Sequence, residues 1–240
     1  MQRLEATIDV GQLQGTVEAT PENHSDREEC TWLNIRAYHL YSLYKQTGNL
    51  QALETAIGCA EEAVATTSGD HPGCVELYML NNLGILLSTR YERTRNIQDL
   101  EAAINYAETA IKTTPQGNHR RAVRLNNLSN YLGSRYERTG NVQDLDTALN
   151  CIEEALGIEA TPEDHDHDYR AMMLSTFGNH LSSRYKRTGN IKDLEAAINY
   201  ADAALQAIPE NHDHHYPARI DILCDLGEHL SIRYERTGDL

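Results

Sequence analysis

The side chains best able to do chemistry fall into three groups. Histidines and aspartates crowd two short stretches: His165 and His167 beside Asp164 and Asp166, then His212, His214 and His215 beside Asp213. Imidazole and carboxylate together suit zinc or another transition metal. The spacing fits no closed structural zinc site, however, and no cysteine joins either cluster. Solvated loops that shed some acidic charge as the imidazoles protonate near their ordinary pKa are the favoured reading. The expectation is therefore no metal and no cofactor.

Arginines form the second group. Arg90 and Arg93, Arg135 and Arg138, Arg184 and Arg187, and Arg233 and Arg236 recur every 45 to 49 residues as a ladder. Such a ladder could grip an acidic peptide. It could equally close on Asp99, Glu101, Asp144 or Asp193 nearby and complement the C-terminal dipole of a helix. The second reading is favoured. The five cysteines (Cys30, Cys59, Cys74, Cys151 and Cys224) form no Cys-x-x-Cys pair, which fits reduced thiols in the cytoplasm. Cys59 and Cys151 share a position with Tyr106 and Tyr200, and a position that accepts both is a packing position. No phosphate-binding glycine loop, nucleophile elbow or His-Glu-x-x-His stands in the chain, and no carboxylate pair is singled out. No enzyme is expected.

The elements that must position these residues come from an internal repeat. RYERTRNIQDLEAAI begins at Arg90, RYERTGNVQDLDTAL at Arg135, RYKRTGNIKDLEAAI at Arg184 and RYERTGDL at Arg233; LYKQTGNLQALETAI, a weaker copy, begins at Leu43. Their tyrosines, Tyr44, Tyr91, Tyr136, Tyr185 and Tyr234, are 47, 45, 49 and 49 residues apart. Before the Tyr runs an apolar stripe, Leu80, Leu83, Leu87, Tyr91 or Leu125, Leu128, Leu132, Tyr136, with the 3,4,4 spacing of one helix face. Gly140 and Gly189 suit the left-handed position after a helix end. Asn141 and Asn190 suit the next N-cap, with Asp144 and Asp193 in capping-box spacing. Arg95 replaces the glycine once, so that turn must be strained or differently shaped. The second helix carries Leu100, Ile104, Ala107 and Ile111 on one face. Ala103 and Ala110, Ala148 and Ala155, and Ala197 and Ala204 permit close approach, and Pro115, Pro162 and Pro209 stop it. Each pair has an apolar face it cannot bury alone; stacking buries it and yields an all-α solenoid of about ten helices.

Composition agrees. The chain has 240 residues, 40% hydrophobic and 24% charged, with a net charge of −15 that argues against nucleic acid. No window approaches a membrane span, and the first residues lack an apolar signal core. Thirteen Tyr against one Phe (Phe177) and one Trp (Trp32) is the signature of one Tyr-bearing motif copied several times.

Leu80, Leu83, Gly84 and Leu87, with Ala103, Ala110 and Pro115, resemble the Trp-x-x-Leu-Gly-x-x-Tyr and Ala…Ala…Pro helices of the tetratricopeptide repeat, Leu replacing Trp and Tyr. The family unit is about 34 residues; the extra residues here lie in the Arg-Tyr-x-Arg-Thr-Gly-Asn segment and the inter-repeat loop. LNNLG at Leu80 and LNNLS at Leu125 look like kinesin-light-chain repeats, and the whole unit is similar to long arrays of large fungal proteins. The resemblance implies stacked antiparallel helix pairs in a right-handed superhelix over residues 1–240. The units are 1–20 (partial), 21–68, 69–115, 116–162, 163–209 and 210–240 (partial). LEATI at Leu4 reads as a second helix without its first, and Thr237-Gly238-Asp239-Leu240 as the start of another. A segment of a longer array is expected, with self-association through uncapped ends.

In the resembled family the first helices line a concave groove. Counting back ten, six and two residues from each Tyr gives Asn81, Ile85, Thr89; Asn126, Asn130, Ser134; Ser175, Asn179, Ser183; and Cys224, Glu228, Ile232. Amides both donate and accept, so Asn81, Asn126, Asn130 and Asn179, with Ser134 and Ser183, suit an extended peptide backbone. The rival reading has them bridging neighbouring helices. The resemblance implies a non-catalytic scaffold for a protein or peptide partner. The alternative is the sensor array of a larger effector, such as a caspase-like CHAT protease or a nucleotide-binding signalling protein.

Overall fold

The computed structural model describes residues 26–66, 74–158, 167–208 and 216–238. Every regular element among them is an α-helix: α1 Asp26–Thr47, α2 Leu50–Thr66, α3 Cys74–Thr94, α4 Ile97–Lys112, α5 His119–Thr139, α6 Val142–Gly157, α7 His167–Thr188, α8 Ile191–Ala207 and α9 Tyr216–Thr237. These nine agree closely with the ten that the periodicity predicts. Leu4–Ile8, Pro162, Pro209 and the clustered His165, His212, His214 and His215 lie outside the described residues, and the side chain of His167 is likewise not described. No described helix is long and apolar enough to cross a membrane.

First helices of 21 or 22 residues alternate with second helices of 16 or 17. The Arg-Tyr-x-Arg-Thr-Gly-Asn segment explains each junction. Gly140 has φ 72°, and its N–H donates to Tyr136 O at 2.7 Å, an αL helix stop. The Thr139 hydroxyl donates to Arg135 O at 2.7 Å and accepts from the Asn141 N–H at 3.2 Å. Asn141 Oδ1 then accepts from the Gln143 N–H, capping α6. The same bonds recur at Thr47–Asn49, Thr94–Asn96 and Thr188–Asn190.

One alternative is decided and one expectation changes here. Arg95 keeps the glycine conformation, at φ 58°, so of the two readings its turn is the strained one and not a reshaped one. And the capping-box aspartates do not cap: the threonine hydroxyl takes the N-cap N–H, while Asp99, Asp144 and Asp193 are buried against arginines.

The described chain forms two compact units, Met1–Leu86 and Leu87–Leu240, with the boundary inside α3. In the first, α1 packs on α2. Leu33, Ala37 and Tyr44 are buried, as are Leu53, Ala56, Ile57, Ala60 and Ala63. Cys30 Sγ, near the start of α1, lies 2.8 Å from Thr66 Oγ1 at the end of α2, so the pair is antiparallel. In the second unit α5–α6 and α7–α8 form the hairpins, and α4–α5, α6–α7 and α8–α9 join them. The small alanines set the spacing: Ala103, Ala110, Ala148, Ala155, Ala197 and Ala204 are all buried. Leu145 and Leu149 of α6, Leu181 of α7 and Ala197 of α8 share one cluster. Each buried Leu contributes about 1.5–3 kcal/mol. Ahead of Pro115, Arg121 of α5 donates to the carbonyls of Ile111 and Thr114 at 2.7 and 3.1 Å and closes the end of α4.

Candidate functional site

The first-helix faces hold the polar residues singled out by the repeat, and three of them, Asn130, Ser175 and Asn179, are tied from one first helix to the next. In the first unit Asn82 donates to Asn34 at 2.9 Å, joining α3 to α1. In the second, Thr176 donates to Asn130 Oδ1 at 3.5 Å, joining α7 to α5. Ser175 and Asn179 both donate to Asp225 Oδ2, at 2.9 and 2.8 Å, joining α7 to α9. Lys186 meets Glu228 at 2.7 Å and holds its carboxyl below the usual range. Asn82, Thr176 and Asp225 stand nine residues before Tyr91, Tyr185 and Tyr234, a position outside the ten, six and two rows.

Of the candidate groove residues, Asn130 is exposed, and Asn81, Ser134, Asn179 and Ser183 are half-buried. Asn126 is only 4% exposed, and its Oδ1 has no hydrogen-bond partner among the described residues. Asn81 and Ser175, at the same offset of ten before their Tyr, are half-buried, so the sealing of Asn126 is particular to its copy.

The arginine ladder divides in two. Arg90, Arg135 and Arg184 each grip the aspartate nine residues on through Nε and an Nη, at 2.7–3.0 Å, onto Asp99, Asp144 and Asp193. This bidentate geometry is the strong form of the pair. The aspartate hydrogen bonds push Arg135 and Arg184 further above the ordinary arginine value. Arg93, Arg138 and Arg187 stand exposed.

The first unit holds what the groove count omitted. Ala37, Tyr38 and Tyr41 of α1 face Asn82, Ile85 and Leu86 of α3 around a half-open pocket of about 100 Å³ with an almost wholly apolar lining. Tyr38 is 63% exposed at its rim. Asn82 turns its amide to Asn34, so the wall presents little unmet polarity. Tyr38 occupies the position six before Tyr44, equivalent to Ile85 and Asn130, so continuing the count into the weak first copy finds it.

The thiols fit packing. Burial pushes Cys59 up and Cys151 up to about 11, so neither is a thiolate near neutrality.

Residues 121–167 match the family model of the tetratricopeptide repeat. The other copies share the turn bonds and helix lengths of that stretch, and the fold of the described residues is that of a tetratricopeptide-type helical solenoid. Among solved structures, BtubC (BKLC) from P. vanneervenii is similar over 80% of this chain and 69% of its own, at 20% identity and a TM-score of 0.60. A Podospora anserina protein, described as a kinesin light chain with nearly identical tetratricopeptide-like repeats, is similar over 90% of this chain and 92% of its own. Its identity is 15% and its TM-score 0.60. Comparison with curated proteins by sequence finds no match.

Proposed function

We propose that this chain is a non-catalytic scaffold that binds a partner protein through its first-helix faces. The observation that carries the reading is the apolar pocket of the first unit. A half-open apolar hollow with its one amide already bonded is suited to a single apolar or aromatic side chain of a peptide. In the second unit, Asn130, Asn179, Ser134 and Ser183 supply polar contacts along the same kind of face, and Asn81 does so in the first. Asn126 is left out because it is sealed. Arg93, Arg138 and Arg187 supply the ladder for an acidic stretch of partner, since Arg90, Arg135 and Arg184 are already engaged.

The test pans a displayed library of random twelve-residue peptides against the 240-residue chain. The expected winners share an apolar or aromatic anchor. They lose at least tenfold in affinity to an Ile85→Arg variant that melts within a few degrees of the parent. Winners without a common anchor, or indifferent to Ile85→Arg and to Tyr38→Ser, overturn the pocket as the binding site.

A further inference from the structure

The arginines left exposed recur at a fixed place in the repeat. Arg93, Arg138 and Arg187 each stand one residue before the turn threonine, Thr94, Thr139 or Thr188, in the last turn of a first helix. The threonine bonds are the same in all three copies, so each arginine is carried by the same rigid turn. Arg90, Arg135 and Arg184 are each paired with an aspartate, whereas Arg93, Arg138 and Arg187 make no ion pair among the described residues.

Side chains set the sign of this rim. A first helix ends where a second begins, so their dipoles largely cancel there. Over residues 92–98, 137–143 and 186–192, Arg95, Lys186 and Lys192 add to the three arginines, and the exposed carboxylates are Glu92 and Glu137. The rim is therefore positive on a chain whose net charge is −15. Carboxylates flank the row. Exposed Glu101 acts through space on Arg135, and exposed Asp146 on Arg184, each from the copy before.

The interval between rungs is that between first helices. Thr176 of α7 bonds Asn130 of α5, so these helices are in contact. Helices in contact lie about 8–10 Å apart, axis to axis. A polyproline II helix rises about 3.1 Å per residue in three-residue turns, or about 9.3 Å per turn. Every third side chain then points the same way at the interval of the row. A β-strand fails: side chains two apart are separated by only about 6.6 Å, and the third faces away. An α-helix returns to the same face after seven residues, at about 10.5 Å, beyond the interval. Ile97, Val142 and Ile191 open the second helices at the same rim, and Ile191 is 36% exposed, an apolar surface suited to proline rings.

We propose that the exposed ladder binds an acidic polyproline II segment with a carboxylate at every third residue. The inference rests on the ladder as a site for an acidic partner, and adds that partner's conformation and register. In-step carboxylates meet Arg93, Arg138 and Arg187 in turn. Out-of-step ones face Glu101 or Asp146. A polyproline II segment is also formed before it binds, so little ordering entropy opposes the contact.

The experiment titrates a labelled twelve-residue peptide, four repeats of Glu-Pro-Pro, against the 240-residue chain at low ionic strength and follows fluorescence anisotropy. A Kd on the order of 10–100 μM is expected. A peptide of four Glu followed by eight Pro has the same charge and composition but the wrong register, and should bind at least fivefold more weakly. Arg138→Gln, the middle rung, should weaken the in-step peptide at least threefold and leave the melt unchanged, because the side chain is exposed and unpaired. Ile85→Arg should leave binding unchanged, because the pocket is a separate site. Equal binding of the two peptides overturns the proposed register and leaves the acidic-partner ladder standing. Tighter binding of an alanine-rich helix with Glu at every seventh residue overturns the conformation. Binding unchanged by Arg138→Gln overturns the site. No binding of any of these peptides up to about 1 mM overturns both the proposal and the ladder, while the pocket is judged by its own panning.

Discussion

His180 and His229 occupy the same position, five residues before the repeat Tyr in consecutive first helices, and both are buried. Only one is provided for. His180 Nε2 lies 2.9 Å from the Ser129 hydroxyl, which itself donates to Ala148 O at 2.8 Å. Gly133 makes the space: a Cβ there would stand 2.5 Å from His180 Cε1. One copy later, register places Gly178 where Ser129 was and Ser182 where Gly133 was. Neither ring nitrogen of His229 has a hydrogen-bond partner among the described residues, and neither does the buried Ser182 hydroxyl. The backbone scaffold is copied faithfully, but polar satisfaction is negotiated copy by copy, because one hydroxyl has moved one turn along its helix.

The largest test of that contrast is pH. Burial pulls the His180 pKa down to about 4, against an ordinary 6.5, and the Ser129 contact only partly opposes it. The folded chain therefore prefers neutral imidazole. The stability that neutrality supports is fully present above pH 6.5, falls as pH drops below that value, and is gone near pH 4. The loss from this one group is on the order of 3 kcal/mol. Chemical denaturation of the parent and His180→Gln at pH 7 and pH 4.5 measures it: the variant should show the smaller decline. His229 is also held low by burial, with Asp225 and Glu228 pulling it up and Lys186 pushing it down. His229→Gln should flatten the same pH window further. Equal slopes in parent and His180→Gln would show that His180 is not the group responsible.

A smaller and more pointed effect comes from moving the hydroxyl. Ser129→Ala strips His180 of its partner and should cost about 1–2 kcal/mol at pH 7. Gly178→Ser puts a hydroxyl where the preceding copy has one, facing Ala197 O as Ser129 faces Ala148 O, and offers His229 a partner. It should be neutral or stabilising by about 1 kcal/mol, despite the 3.1 Å approach at that Cβ. Denaturation midpoints that fall for both variants would mean that the two copies differ in more than this pair.

Much of the fold was legible because helix period, left-handed glycines and Asn caps are local signals. Leu100, Ile104, Ala107 and Ile111 are buried as their spacing predicts. What stayed hidden depends on which neighbour wins a shared group. Spacing of three after an N-cap Asn suits a capping carboxylate, but Thr139 already takes the N-cap N–H, and Arg135 claims Asp144 across nine residues. Asn126 looked like Asn81 because both stand ten residues before their Tyr, yet only Asn126 is buried. The Tyr38 and Tyr41 pocket was missed because the first copy is the weakest match to the motif, so its groove positions were never counted.

The smallest effect tests the turn itself. Gly48, Gly140, Gly189 and Gly238 have φ between 70° and 75°, and Arg95 stands at 58° in the same place, its guanidinium 5.7 Å from the centre of the Tyr91 ring. A side chain in the left-handed region costs about 1–2 kcal/mol. Glycine removes that strain but gives the unfolded chain more freedom to lose. The ring contact returns about 0.5 kcal/mol at an exposed site. Arg95→Gly should therefore stabilise the chain by about 0.5 kcal/mol, read as a rise in the denaturation midpoint without a change in slope. Arg95→Asn, which tolerates the conformation without glycine's freedom, should do at least as well. A fall in midpoint for both would mean that the Tyr91 contact outweighs the backbone strain.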